Sequence, residues 1–110
     1  MSVEITLYRT DDEKGFRTAS ARLAEDGGLV INGQDLGSSV EGFFGCFEYE
    51  YSLAVEAAEV DRCVEVLGGD AGMGLLEVLQ GWVARGAGQE AQLMLSKAGL
   101  TRCVWSRTGD

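Results

Sequence analysis

The spacing of apolar residues along this chain changes from a period of two to a helical period at Glu56. Residues 47–55 alternate strictly, which predicts a strand with one apolar and one polar face. After Glu56, apolar residues recur at helical spacing in three stretches, 57–67, 75–83 and 89–98, each followed within three residues by glycine. The apolar face of the strand carries Phe47, Tyr49, Tyr51, Leu53 and Val55, and its polar face carries Glu48, Glu50 and Ser52.

Four further strands complete the expected sheet. Alternation predicts strands over residues 2–8, 17–25 and 29–32, and the Asp26-Gly27-Gly28 sequence favours a tight turn between the last two. Residues 11–15 and the glycine-interrupted stretch 33–45 are predicted to be loops. A last strand is predicted over residues 100–107, with Cys103 and Trp105 on one face. Because strands precede helices, we expect one α+β domain over residues 1–110, with an antiparallel sheet of four to five strands and about three helices packed on one face.

Acidic residues outnumber basic ones by 18 to 9, which gives a formal net charge of −9. Such a charge disfavours nucleic acids and favours encounter with a basic partner. A highly charged surface also promotes solubility, and that alternative stays open. Much of the excess lies in residues 41–65, where seven acids accompany Arg62 alone: Glu41, Glu48, Glu50, Glu56, Glu59, Asp61 and Glu65.

The residue types exclude several chemistries. The chain has no histidine, so the usual general base and the common nucleophile systems are missing. Its three cysteines, Cys46, Cys63 and Cys103, are far apart, which predicts reduced thiols and neither a disulfide framework nor a metal site. The glycine-rich stretch 68–74 lacks the Lys and Ser or Thr of a phosphate loop. We therefore predict no metal and no cofactor, and favour a binding role over catalysis.

Glu48 and Glu50 could act as a carboxylate pair, because alternate residues of a strand share a face. Two exposed glutamates on a strand are more typical of a solvated surface. No segment is long and apolar enough to span a membrane, and the first ten residues do not resemble a secretory signal. A cytoplasmic location without membrane contact is therefore expected.

One part of the sequence resembles a known group of proteins. The segments Asn32-Gly33-Gln34-Asp35-Leu36-Gly37, Val40-Glu41-Gly42-Phe43-Phe44-Gly45 and Glu48-Tyr49-Glu50-Tyr51 are similar to a stretch of small uncharacterised actinobacterial proteins. The resemblance implies a bacterial cytosolic domain and assigns no catalytic residue.

Two functional hypotheses follow from the sequence. The first is a protein-binding module, comparable to immunity proteins or antitoxins, that docks a basic partner through Glu41, Glu48, Glu50, Glu56 and Glu59. The alternative is a small-molecule-binding domain or a histidine-free enzyme with a pocket between sheet and helices, lined by Phe43, Phe44, Tyr49, Tyr51, Trp82 and Trp105. A homodimer through the edge strand near Tyr8 or Trp105 is also considered.

Overall fold

The computed structural model describes residues 3–12, 15–36, 48–70 and 72–109. Within them, a five-stranded antiparallel sheet and three helices confirm the α+β prediction. The strands are β1 (Glu4–Asp12), β2 (Gly15–Leu23), β3 (Leu29–Leu36), β4 (Glu48–Val55) and β5 (Arg102–Gly109). A 3-10 turn (Ala57–Glu59) leads into α1 (Val60–Val66), which is followed by α2 (Leu75–Ala84) and α3 (Gly88–Lys97).

The order of strands in the sheet is the order of strands in the sequence, and every neighbouring pair is antiparallel. All three helices lie in the connection from β4 to β5 and form a layer on one side of the sheet. We call this side the helix-covered face and the other side the open face. The core between the two layers includes Leu7, Ala21 and Ile31 from the strands and Leu79 and Leu95 from the helices.

Small residues allow the helices to approach the sheet closely. Ala19 and Ala21 are fully buried on β2, and α2 packs over β1 and β2. At Gly88, the first residue of α3, an added Cβ would collide with the backbone carbonyl of Leu7. The start of α3 therefore rests directly on the backbone of β1.

An irregularity in the pairing of β1 with β2 changes which side chains of β1 point to the helix-covered face. Thr6 pairs with Ser20 and Tyr8 pairs with Ala19, so Leu7 is the extra residue of a β-bulge. The observed strand also begins and ends later than the predicted range of 2–8. As a result, Leu7 is 2 % exposed in the core while Tyr8 also points to the helix-covered face. Simple alternation from Leu7 would have placed Tyr8 on the open face.

The last strand has a similar irregularity. Leu53 pairs with Cys103 and Ser52 pairs with Trp105, which leaves Val104 as the extra residue. The prediction that Cys103 and Trp105 share a face was wrong, because the bulge reverses the alternation and turns Trp105 to the open face. Both edge strands, β1 and β5, thus contain a bulge, and bulges hinder pairing with another edge.

The predicted loops were partly wrong. Residues 33–36 belong to β3, where Gly33 pairs with Ala19 and with Tyr51, and Asp11 and Asp12 belong to β1. Cross-strand pairing therefore outweighed the local turn signal of Gly33. The rest of the predicted loop, 37–45, lies outside the described residues. The turn at Asp26-Gly27-Gly28 is confirmed: the Asp26 carboxylate accepts a hydrogen bond from the Gly28 amide at 2.8 Å, and Gly27 has a φ of 90°.

Candidate functional site

The most concentrated charge in the described residues surrounds α1. Glu56 precedes the 3-10 turn, Glu59 ends it, and Asp61 and Glu65 lie on α1, with Arg62 as the single basic residue of the segment. Glu56, Asp61 and Glu65 are exposed, and none of them forms a salt bridge with a described residue. Asp61 and Glu65 lie on one side of α1, which we call the acidic face of α1, whereas Glu56 and Glu59 line a different groove together with Arg62.

A groove lies beside this face, between α1 and the turn that leads to α2. It has a volume of about 440 Å³. Asp61 and Glu65 are four residues apart, so they occupy the same side of the helix, and both line the groove. Val64 and Met73 supply its apolar lining, together with Gly69 and Gly72. The groove therefore combines two carboxylates with an apolar surface.

Close packing defines the shape of the turn. The Gly69 amide donates a hydrogen bond to the Val64 carbonyl at 2.8 Å, and an added Cβ at Gly69 would meet the side chains of Val64 and Val78 at 2.9 and 2.6 Å. The Asp70 amide lies 3.3 Å from the Met73 sulfur, which folds that side chain back toward the turn. These contacts hold the apolar lining in place against α1.

The predicted partner-binding glutamates are divided between two places. Glu56 and Glu59 lie at the start of the helical segment, where they line a groove with Arg62 and Arg102 that includes neither Asp61 nor Glu65. Glu50 lies on the open face, where its carboxylate accepts hydrogen bonds from Arg107 at 3.0 and 3.1 Å and from Gln34 at 3.3 Å. Six residues of strand, or about 20 Å, separate Glu50 from Glu56. Glu41 and the side chain of Glu48 lie outside the described residues, so the proposed Glu48–Glu50 pair stays a prediction.

Of the aromatic residues predicted to line one pocket, Tyr51 and Trp105 border a common groove, whereas Tyr49 and Trp82 are not among its lining residues. Tyr49 and Tyr51 are neighbours, with ring centroids 5.8 Å apart. Trp82 is on α2, its indole N–H donating to the Leu67 carbonyl at 3.0 Å, with the Arg85 guanidinium 4.7 Å from its ring. Trp105 is on the open face, whereas the Tyr51 hydroxyl is on the helix-covered face, where it meets Tyr8 and Gln92 of α3. Phe43 and Phe44 lie outside the described residues.

A polar network that the sequence did not indicate crosses the helix-covered face. The hydroxyls of Tyr8 and Tyr51 are 3.1 Å apart, and the Gln92 amide of α3 donates to Tyr51 at 3.1 Å. Burial raises the pKa of Tyr8 far above its ordinary value, and the Tyr51 hydrogen bond adds to the effect. Burial also raises the pKa of the nearby Asp35 carboxyl, while Arg17 opposes the shift.

A second groove lies on the open face and has a volume of about 270 Å³. Its lining comes from the four strands β2 to β5, on the side of the sheet away from the described helices. Strand register cannot be read from the sequence, so no sequence pattern groups these side chains. They are Thr18, Ser20, Asn32, Gln34, Glu50 and Trp105, together with Gly33 and Tyr51.

Comparisons with known proteins identify no relative of this chain. No family model, no curated protein and no solved structure matches the chain. In the part of the chain that the structure describes, no group of three or more Cys, Asp or Glu side chains is arranged to hold a metal ion. None of the described helices has the length and apolarity to cross a membrane.

Proposed function

We propose that this chain is a protein-binding module that docks a basic partner protein on the acidic face of α1. The observation that carries the proposal is the groove beside α1, in which Asp61 and Glu65 stand next to Val64 and Met73. An exposed carboxylate cluster alone would fit a merely soluble surface. Carboxylates beside an apolar groove suit a partner that is attracted by the negative charge and then makes apolar contacts in the groove.

Lysine and arginine side chains match this arrangement. Their aliphatic stems can pack on the apolar lining while their charged ends reach the carboxylates, and an arginine can engage a carboxylate through two hydrogen bonds. Because Asp61 and Glu65 have no salt-bridge partner among the described residues, such an ion pair would break no existing one. The net charge of −9 would further speed the approach of a basic protein.

The bound partner is expected to contact both α1 and the turn before α2. A suitable probe is a short peptide with two arginines that flank a leucine, amidated and acetylated at its ends so that only the side chains carry charge. Titration of the isotopically labelled protein with this peptide should shift amide resonances of α1 and of residues 68–74, in a salt-dependent manner. Equal shifts over all acidic surfaces would contradict the proposal.

A matched pair of charge reversals tests the role of the groove. Asp61→Lys with Glu65→Lys should abolish the shifts, whereas Glu77→Lys with Glu90→Lys should preserve most of the affinity. Glu77 and Glu90 are exposed on α2 and α3, and both double variants change the net charge by the same amount. If the two variants weaken binding equally, the attraction reflects overall charge and the groove has no special role.

A further inference from the structure

The groove on the open face has one aromatic wall. Trp105 of β5 lines it together with Thr18 and Ser20 of β2, although β3 and β4 lie between them. The groove therefore spans the sheet from β2 to β5, with Trp105 at its β5 end. Ser52, the cross-strand partner of Trp105, is only 5 % exposed. Trp105 itself is 47 % exposed, so part of the ring surface remains accessible to a ligand.

The rest of the lining is polar and almost uncharged. Hydroxyl groups come from Thr18 and Ser20, and amide groups come from Asn32 and Gln34. Glu50 is the single ionisable acid or base among the lining residues that face this side, and its carboxylate is bound by Arg107. The Thr18 hydroxyl already donates to the Tyr8 carbonyl and the Gln34 amide to Glu50, so the Ser20 hydroxyl and the Asn32 amide are the groups that can donate to and accept from a ligand.

A nearby cation is already engaged outside the groove. Arg9 lies in the same cross-strand row as Thr18 and Gln34, but its guanidinium sits over the Phe16 ring, 5.1 Å from the centroid. A phosphate or carboxylate ligand would therefore find no unpaired cation among the lining residues. A cationic ligand would meet a carboxylate that Arg107 already neutralises.

The geometry points to a binding site in this groove for one ring of an uncharged, polyhydroxylated molecule, such as a neutral sugar. The hydroxyl groups of a sugar donate and accept hydrogen bonds as the lining does, and its C–H face can pack on an exposed indole. The volume of about 270 Å³ lies just below the usual range for ligand pockets, which suits a single ring. This site is in the other layer of the molecule from the acidic face of α1, so the two proposals can fail independently.

Binding can be followed through a signal of the protein and through a signal of the sugar. In a Trp82→Phe background, Trp105 is the only tryptophan of the chain, so its fluorescence reports the groove. Titration with glucose, galactose and N-acetylglucosamine should give a saturable change for at least one of them, with a dissociation constant on the order of 1 mM. Saturation-transfer NMR on the unmodified protein should show transfer to the ring protons of the same sugar. Absence of saturable binding for all three would overturn the proposal.

Variants on the open face locate the site. Trp105→Ala and Asn32→Ala should each weaken binding of that sugar by about tenfold, measured by saturation transfer. Val104→Ala is the matched control, since Val104 is exposed beside Trp105 but does not line the groove. An unchanged affinity in Trp105→Ala would place the sugar elsewhere and overturn the assignment. Tighter binding of glucuronate than of glucose would show charge recognition and overturn the class of ligand.

Discussion

The hydroxyl groups of Tyr8 and Tyr51 meet at 3.1 Å, although the two residues belong to strands that are separated by β2 and β3. Both tyrosines lie in one cross-strand row, with Ala19 and Gly33 between them. Three strand spacings amount to about 14 Å, a distance that two tyrosine side chains can span only over small residues. Gly33 has no side chain, and the Tyr51 ring occupies the place where a Cβ would be.

The hydrogen bond between the two tyrosines should contribute measurably to stability. Tyr8→Phe removes one hydroxyl and should lower the free energy of unfolding by about 1 kcal/mol. Tyr51→Phe should cost more, about 1–3 kcal/mol, because it leaves both the Tyr8 hydroxyl and the Gln92 amide without their partner. Urea denaturation of both single variants and the double variant gives the coupling energy. Additive effects of the two changes would show that the hydrogen bond is energetically unimportant.

Two glycines in helices should respond oppositely to the same change. Gly88→Ala should be strongly destabilising, since its Cβ would collide with the Leu7 backbone and α3 would have to move. Gly81→Ala, inside α2, meets no atom within 4 Å and should raise the free energy of unfolding by about 0.5–1 kcal/mol. Thermal and urea denaturation measure both. A neutral Gly88→Ala would mean that α3 does not rest on β1.

Gly33→Ala tests the packing of the Tyr51 ring. The substitution should destabilise the fold, because the new methyl group and the ring cannot occupy the same volume. In a Tyr51→Leu background the same substitution should cost less, since the ring is gone. A double-mutant cycle from urea denaturation measures this difference. An equal cost in both backgrounds would indicate strain in β3 itself.

Alkaline pH should destabilise the protein through Tyr8. Burial raises the pKa of Tyr8 in the folded state, so above the ordinary tyrosine pKa of about 10 the unfolded chain holds fewer protons than the folded chain. The free energy of unfolding then falls as pH rises, by at most about 1.4 kcal/mol per pH unit for this group. The dependence should be shallower in Tyr8→Phe when urea denaturation is measured from pH 8 to pH 11 or so. Parallel profiles would remove Tyr8 as the cause.

The two described cysteines should differ in reactivity. Cys63 is buried in the core, and burial together with Glu59 raises the pKa of its thiol to about 11. Cys103 is exposed on β5. In proteins that each keep one of these cysteines, with the other two changed to serine, a thiol reagent at pH 8 should modify Cys103 rapidly and Cys63 only after urea is added. Rapid modification of Cys63 in the folded protein would contradict its burial.

The sequence by itself determined the fold class, the turn at Asp26-Gly27-Gly28 and the ends of the helices. Gly86 and Gly99 end α2 and α3, each with a φ of 74°, as their positions after the apolar stripes predicted. The faces of β4 were also readable, because Tyr51 and Leu53 could not exchange places with Glu50 and Ser52 without burying a charge. These features depend on the chemistry of residues that are close together in the sequence, so the local sequence pattern predicts them.

Only the tertiary structure decided which side chains meet. The bulges at Leu7 and Val104 turn Tyr8 toward the helices and Trp105 away from them, and neither bulge has a local signal in the sequence. Register between distant strands likewise places Thr18, Asn32 and Trp105 around one groove and ties Glu50 to Arg107. Bulge and register are set by pairing over the whole sheet and by helix packing, so the groove on the open face emerges only when the strands are assembled.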